Sequence, residues 1–212
     1  MSQREFVPAA GRDVFLPLYD PMVRWLGFDR ARQELISQAK IESGHHILDI
    51  GCGTGTFVVL LKRRYPQVRV VGLDPDPKAL RRAENKVRRA GVAVQLDEGF
   101  ADKLPYESAS FDHVFSSFMF HHLEGPEREN TMREAVRVLK PGGSFHLVDF
   151  VADHAPRGFF ERLIHSHAHL KDNSTKHILE EMNLAGFMNA TRVTEDSMFF
   201  GLLRTAYYRA TM

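Results

Sequence analysis

The chain lacks several features that define large protein classes. It has one cysteine, Cys52, in 212 residues, so no disulfide can form within it, which favours a reducing compartment. It has no run of about 18 apolar residues, so no membrane span is predicted. It also has no N-terminal leader in which a charged segment precedes an apolar one. We therefore expect a cytoplasmic location.

Net charge is also small, because 28 basic residues are balanced by 27 acidic ones. A value of +1 does not indicate a nucleic-acid partner. The arginine-rich run from Arg81 to Arg89 is the exception. Its spacing, with Leu80, Ala83 and Val87 between the charges, is typical of the solvated face of a helix.

A glycine-rich turn is the strongest signal that is present. The stretch from Ile47 to Gly55 reads as a buried strand that ends in glycines at every second position, Gly51, Gly53 and Gly55. A helical pattern follows from Phe57 onward. Such a strand-turn-helix presents free backbone N–H groups and a helix N-terminus to a ligand.

Two acidic residues accompany this turn. Asp49 is placed at the carboxyl end of the first strand, where open α/β sheets bind ligands. A second apolar run, from Val68 to Leu73, ends in Asp74, one βαβ unit further along. A carboxylate at the tip of the second strand can accept both hydroxyls of a ribose. The pair therefore indicates a ligand that carries a nucleoside.

The glycine spacing restricts the class of ligand that the turn could bind. The turn reads GxGxG with Thr56 next, whereas the dinucleotide fingerprint GxGxxG has its third glycine at that place. No Lys-Ser/Thr pair follows the turn, so a P-loop is excluded. The remaining alternative is a nucleoside with an amino-acid tail and no phosphate. Its ammonium group suits an acidic strand end, and its carboxylate suits backbone N–H groups.

Taken in order, these and later segments resemble the class I S-adenosylmethionine-dependent methyltransferases, in the branch of ubiquinone- and menaquinone-biosynthesis enzymes. The resemblance is close over about residues 40–150. The segments that carry it are Ile47–Gly55, Val70–Pro75, Gly99–Tyr106 with Ser110–Val114, Phe120–Leu123 and Arg137–Gly143.

This resemblance implies an α/β fold: a Rossmann-like, seven-stranded, mostly parallel sheet with an antiparallel last strand and helices on both faces. We expect a single methyltransferase domain over 1–212. Residues 1–41 would form an N-terminal helical lid, 42–151 the cofactor-binding core, and 152–212 the acceptor-side helices and a C-terminal hairpin. The implied cofactor is S-adenosylmethionine, with S-adenosylhomocysteine as product.

The predicted cofactor-binding residues are Tyr19, Asp49, Gly51, Cys52, Gly53, Gly55, Asp74, Pro75, Phe100, Ala101 and Ser116. One departure from the family pattern stands among them. Phe100 occupies the place of an aspartate that accepts a hydrogen bond from the adenine amino group. A phenyl ring can only pack against the adenine, so the amino group is left to Asp102, the Ala101 backbone or water.

His121 and His122 are the candidates for a catalytic base, because they follow the fourth strand and histidine titrates near neutral pH. A base is optional in methyl transfer, and a structural role for both is the alternative. No metal is expected, although His165 and His169 share a helix face and could bind one with a third ligand.

The predicted reaction is methyl transfer to a small-molecule acceptor. A nucleic-acid or protein methyltransferase and a cofactor-binding protein without turnover are the alternatives. Enzymes that methylate base amino groups carry Asn/Asp-Pro-Pro-Tyr/Phe after the fourth strand, where this chain reads Ser116-Ser117-Phe118-Met119. We therefore expect no nucleic-acid partner. Oligomeric state stays open.

Hydrophobic periodicity predicts the individual elements. Strands are expected near 46–50, 69–74, 92–96, 112–117 and 144–151. Helices are expected at 28–41, 55–65, 76–90, 127–139, 157–170 and 174–185. Asp76-Pro77 should cap the third of these helices, and Gly186 should end the last one. The runs 190–194 and 198–208 predict a hairpin whose turn is Glu195-Asp196-Ser197, and Pro141-Gly142-Gly143 should end the helix before the fifth strand.

Overall fold

A computed structural model describes residues 27–153, 173–198 and 203–212. The helices in these ranges are α1 (Phe28–Ser37), α2 (Thr56–Arg64), α3 (Pro77–Ala90), α4 (Gly125–Val138) and α5 (Thr175–Ala185). The strands are β1 (His46–Ile50), β2 (Arg69–Asp74), β3 (Gln95–Glu98), β4 (Phe111–Ser117), β5 (Leu139–Phe150), β6 (Met188–Met198) and β7 (Leu203–Thr211). A 3₁₀ turn, Phe120–His122, separates β4 from α4.

The seven strands form one sheet in the order β3-β2-β1-β4-β5-β7-β6. The first five pair in parallel, and β7 runs antiparallel to both β5 and β6. β1 occupies the middle of the parallel part, with Ile47 opposite Val70 on one side and His113 on the other. The predicted seven-stranded, mostly parallel sheet with an antiparallel last strand is confirmed.

Alternation along the strands divides the core between the two faces of the sheet. Ile47 and Phe115 pack with α1, α2 and α3 on one face. Leu48 and Val114 pack with α4 and α5 on the other. Successive side chains of a strand point to opposite faces, so a strand buried on both faces needs apolar residues at consecutive positions. Because β1, β2 and β4 are parallel, their carboxyl ends lie at the same edge of the sheet.

Several boundaries differ from the prediction. α1 ends at Ser37, with Gln38 as its C-cap, rather than at residue 41. β3 begins at Gln95 rather than residue 92, and β5 begins at Leu139 rather than residue 144. α4 accordingly ends at Val138, before Pro141-Gly142-Gly143. Gly143 explains the early strand: a Cβ there would lie 2.9 Å from the Lys140 carbonyl oxygen and 3.0 Å from that of Asp112, so only glycine lets these backbones approach.

The predicted hairpin exists, but its turn was misplaced. β6 continues through Glu195-Asp196-Ser197, and the chain reverses between Met198 and Leu203. Most of β6 is exposed, so polar residues sit on this edge strand without a burial cost and do not mark a turn. The predicted helix 157–170 and most of the lid (1–26) lie outside the described residues. The division of the chain at 41 and 151 stays a prediction.

Candidate functional site

A cavity of about 300 Å³ opens at the carboxyl ends of β1, β2 and β4. The predicted residues that line it are Gly51, Cys52, Gly53, Asp74, Pro75, Phe100, Ala101 and His122. Among the described residues, Asp49, Gly55, Ser116 and His121 are not part of its wall. Tyr19 lies outside the described residues, as do His165 and His169. The neighbour of Ser116, Ser117, takes its place in the wall, because alternation turns Ser116 into the core.

The three glycines of the turn have two different roles. A Cβ on Gly51 would collide with the side chain of Met119, and one on Gly55 would lie 2.8 Å from the Cβ of Ala83 on α3. A Cβ on Gly53 would meet nothing within 4 Å. All three have positive φ, so each also needs glycine for its backbone. Only Gly53 leaves open space for a ligand, whereas the other two let protein groups approach closely.

Asp74 joins the glycine turn to the second strand. Its Oδ2 accepts the Gly53 N–H at 2.8 Å, and its Oδ1 accepts the Asp76 N–H at 2.9 Å. Burial raises the pKa of Asp74 to about 6, although these two amide hydrogen bonds oppose the rise. The side chain of Asp76 caps α3 by accepting the Lys78 N–H at 2.8 Å, as the Asp-Pro pair predicted.

Asp49 lies beneath the turn and is fully buried. Within the described part of the chain, neither of its carboxylate oxygens has a hydrogen-bond partner. Burial raises the pKa of Asp49 well above its usual value, the positive charge of Arg32 lowers it, and the negative charge of Asp74 raises it further. Because Asp49 is not itself a wall residue, its predicted interaction with an ammonium group would be electrostatic, through the cavity wall, rather than a direct contact.

Arg32, a residue of α1, is a wall residue that the sequence did not reveal. It is only 8% exposed, and its Nε and Nη1 have no hydrogen-bond partner among the described residues. The guanidinium carbon lies 5.9 Å from the ring centroids of both Phe28 and Phe118. Nη1 is 3.6 Å from an Asp29 oxygen, too far for a hydrogen bond. The cavity thus contains a buried cation with unused donors.

Phe118 shapes the wall next to Arg32. It is a non-glycine residue with φ 57°, an unfavourable backbone for a bulky side chain. Its ring packs on Phe28 and Phe150, with centroids 4.6 and 5.2 Å away, and this packing stabilises the strained backbone. Such strain is concentrated at functional sites. Phe118 turns the chain sharply between β4 and the 3₁₀ turn, so that Met119 and His122 face the cavity.

The two candidate histidines have different environments. His122 lines the cavity, whereas His121 points inward to Asp149 at the end of β5. The His121 ring nitrogen Nδ1 is 2.6 Å from Asp149 Oδ1, and the His121 backbone N–H donates to Oδ2 at 3.0 Å. Burial raises the pKa of Asp149, but the His121 charge and these hydrogen bonds outweigh it and leave the pKa below its usual value. The two imidazole rings pack with centroids 3.9 Å apart.

Arg128 on α4 holds the same turn from the other side. It is buried, and its Nη1 donates to the Phe120 carbonyl oxygen at 3.2 Å and to Asn173 Oδ1 at 2.8 Å. Its Nε donates to both carboxylate oxygens of Glu181, each at 2.7 Å. The turn that carries His122 is therefore fixed by a buried anion and a buried cation on separate elements.

Comparison with known proteins agrees with this geometry. Residues 47–143 match a family model described as a methyltransferase domain. The demethylmenaquinone methyltransferase of Deinococcus radiodurans is 38% identical over 137 residues, which are 63% of this chain and 56% of that protein. The 27-O-demethylrifamycin SV methyltransferase of Amycolatopsis mediterranei is 34% identical, over 61% of this chain and 47% of that protein. The chain thus spans about half the length of these relatives.

Solved structures share the fold at low sequence identity. The YcgJ protein of Bacillus subtilis superposes with a TM-score of 0.74 at 19% identity, covering 86% of this chain and 97% of that one. The phosphoethanolamine N-methyltransferase 2 of Haemonchus contortus, solved with S-adenosylmethionine, gives 0.72 at 17% identity, covering 86% and 52%. The [4+2]-cyclase SpnF gives 0.71 at 18% identity, covering 86% and 80%.

Two further findings apply to the described residues. These residues include no group of three His, Cys, Asp or Glu side chains arranged to hold a metal ion. None of their helices is long and apolar enough to cross a membrane.

Proposed function

We propose that this chain, of which residues 47–143 match a family model described as a methyltransferase domain, transfers a methyl group from S-adenosylmethionine to a small, apolar acceptor. The observation that carries the proposal is the charge pattern of the cavity. Asp74 stands at one part of the wall and Arg32, with unused donors, at another, and the open side of Gly53 belongs to the same cavity.

The residues present fit this cofactor. Asp74, with lone pairs left after its two amide bonds, would accept the ribose hydroxyls. Arg32 would bind the carboxylate of the amino-acid tail, and the ammonium group would favour the ionised form of the buried Asp49. Phe100 and Ala101 would pack on the adenine, with Asp102 close by in the wall. When bound, the cofactor supplies an electrophilic methyl group on a sulfonium.

The acceptor end is mainly apolar. Phe118, Met119 and Leu123 line it, and His122 and Glu127 add two polar groups. We assign His122 the role of holding or removing a proton of the acceptor, because its ring reaches the cavity while His121 does not. The names of the relatives point to a quinone and to an oxygen of rifamycin as acceptors, which supports an oxygen-bearing acceptor on an apolar frame.

The alternatives predict different behaviour. A nucleic-acid or protein methyltransferase would transfer label to those polymers rather than to small hydroxylated arenes. A cofactor-binding protein without turnover would bind S-adenosylmethionine and transfer nothing; the SpnF cyclase illustrates that the fold also serves other chemistry. A cytoplasmic location stays a prediction.

Two measurements test the proposal in order. Titration calorimetry should detect saturable binding of S-adenosylmethionine and of S-adenosylhomocysteine. A labelled-methyl assay over a panel of hydroquinones and phenols, with RNA and protein as comparison substrates, should then place label in the small molecules. Absence of saturable cofactor binding would contradict the cofactor assignment, and label only in polymers would contradict the acceptor class.

A further inference from the structure

The near-neutral net charge conceals a strongly uneven distribution. Residues 62–89 contain ten Lys and Arg against three Asp and Glu, so this segment carries +7 while the rest of the chain carries −6. Two of the three acids, Asp74 and Asp76, are buried at the cofactor cavity. Glu84 is therefore the one acidic side chain of this segment that faces solvent.

The basic side chains share one side of the molecule. α2 and α3 pack against each other over the same face of the sheet, with Phe57, Leu80 and Val87 turned to the core. Their outer surface, called here the basic face, consists of Arg63, Arg64, Arg81, Arg82, Arg88 and Arg89. All are exposed except Arg82, which is half-buried.

Among the described residues, none of the arginines of the basic face forms an ion pair. Arg88 donates to the amide oxygen of Asn85, and Arg64 lies over the ring of Tyr65. Cations elsewhere on the surface have acidic partners: Arg133 pairs with Glu129, Lys176 with Glu180 and Arg192 with Glu195. Arginines grouped in this way repel each other, and an anionic partner relieves the repulsion.

We propose that the basic face docks the protein on an anionic phospholipid surface. The inference rests on the proposed function in one respect: an acceptor that fits the apolar end of the cavity partitions into lipid. Clusters of four to eight basic residues on a helix are typical of proteins that bind acidic phospholipids. The face is formed by the convex outer sides of two helices, which suits a planar layer of headgroups. α3 carries no aromatic residue on which a nucleic-acid base could stack.

The basic face is also directly connected to the cofactor cavity. Lys86, on the same helix, donates to the hydroxyls of Thr54 at 3.1 Å and Thr56 at 2.6 Å, and both threonines line the cavity. Asp76, another wall residue, caps the N-terminus of α3. Docking through α3 would therefore hold the cavity close to the membrane surface that contains the acceptor.

Vesicle sedimentation tests the proposal. The protein should bind vesicles of mixed phosphatidylglycerol and phosphatidylcholine, bind pure phosphatidylcholine at least about tenfold more weakly, and be released by salt. Arg81→Glu combined with Arg89→Glu should abolish binding. Arg133→Glu combined with Lys176→Glu, on α4 and α5 over the opposite face, makes the same change in net charge and should retain most of it.

Any one of three results would overturn the proposal. These are no preference for phosphatidylglycerol, an equal loss of vesicle binding in both double variants, and tighter binding to a DNA or RNA duplex than to the vesicles at matched salt. Salt release of the unmodified protein gives an independent readout if a variant fails to fold. Cofactor calorimetry without vesicles separates the two proposals. Cofactor binding without vesicle binding rejects the docking surface alone, and the reverse rejects the proposed function alone.

Discussion

The carboxylate of Asp74 accepts the backbone N–H of Gly53 at 2.8 Å, so the proposed ribose acceptor and the one glycine of the turn that faces open space form a single hydrogen-bonded unit. Two features that are 21 residues apart in the chain therefore respond together to any change at either. This coupling bears on the pH dependence and the mutational behaviour of the site.

Cofactor affinity should fall on acidification. The pKa of Asp74 is about 6 in the protein without ligand, and accepting two hydroxyls favours the ionised form. Affinity should be constant well above pH 6 and decline by up to about tenfold per pH unit below it. Calorimetry across this range checks the sign. Asp74→Asn should bind weakly at every pH, and a variant that kept the acid-dependent decline would exclude Asp74 as its origin.

Alanine at two glycines of the turn should have opposite signatures. Gly53→Ala places a methyl group in open space, so affinity should drop while the unliganded protein loses about 1 kcal/mol from the left-handed backbone. Gly55→Ala collides with Ala83 and should mainly lower Tm. Gly91→Ala is the matched control, because it has φ +66° with nothing near its Cβ and lies at the C-terminus of α3. An equal loss of affinity in Gly91→Ala would refute the cavity explanation.

Arg32→Met should lower the affinity for S-adenosylmethionine about 10- to 100-fold, the range expected for a lost charge-assisted hydrogen bond. An adenosine thioether without the amino-acid tail should bind the variant and the parent equally, because it has no carboxylate. Arg30→Met serves as control, since Arg30 is on the same helix with its side chain 85% exposed. Should both ligands lose affinity to the same extent, Arg32 does not recognise the carboxylate.

Substitutions of His121 and His122 should have different effects on turnover and stability. His122→Asn should lower kcat by about 100-fold or more with cofactor affinity unchanged, because its ring lines the acceptor end. His121→Asn should instead destabilise the fold by about 3 kcal/mol or more, because Asp149 would be left buried with its ionic partner removed. Thermal unfolding and single-turnover rates distinguish the two. A stable His121→Asn protein with normal turnover would contradict this division.

Acid should unfold the protein partly through a buried histidine chain at the opposite end of the strands. His113 bonds to His45 at 3.1 Å and to Ser144 at 2.8 Å, and Ser144 bonds to His146 at 2.8 Å. Burial, aided by the charge of His45, lowers the pKa of His113 to about 4. Burial, aided by the charges of His113 and Arg209, lowers the pKa of His146 to about 3.

The ordinary histidine pKa is 6.5, so the unfolded chain takes up protons first as pH falls. The stability contributed by these neutral histidines is fully present above about pH 6.5 and is lost progressively as pH falls, down to about pH 4 for His113 and about pH 3 for His146. His146→Gln keeps a donor for Ser144 without titrating, so its Tm should fall less steeply over this interval. Parallel Tm curves for the two proteins would show that His146 has no part in acid lability. Asp74 contributes with the opposite sign, which is why the difference between the proteins is the quantity to measure.

The local sequence predicted a structural feature where one short segment contains all the residues that determine that feature. Three features depend only on the backbone preferences of residues that are adjacent in the sequence. They are the strand-turn-helix at Ile47–Gly55, the helix cap at Asp76-Pro77 and the helix stop at Gly186. Edge strands were harder. β6 is polar and exposed, so its residues 195–197 resemble a turn until the pairing with β7 is known.

The site shows the same division. Glycine spacing and Asp74 indicated from sequence alone where the cavity lies, because a βαβ unit brings the carboxyl ends of neighbouring strands together by topology. Arg32 left no signal, since an arginine on an amphipathic helix looks like a solvent-facing residue until Phe28 and Phe118 enclose it. The same holds for Asp149, whose role depends on β5 lying against the 3₁₀ turn.

By itself, then, the sequence determined the class of fold, the order of its elements and the kind of cofactor, because these depend on periodicity and on residues close together in the chain. Tertiary structure decided which of Gly51, Gly53 and Gly55 faces open space and which of the adjacent His121 and His122 lines the cavity. It also gathered the arginines of α2 and α3 on one face. Those properties depend on contacts between residues about 20 to 70 positions apart, which only packing of the helices on the sheet brings about.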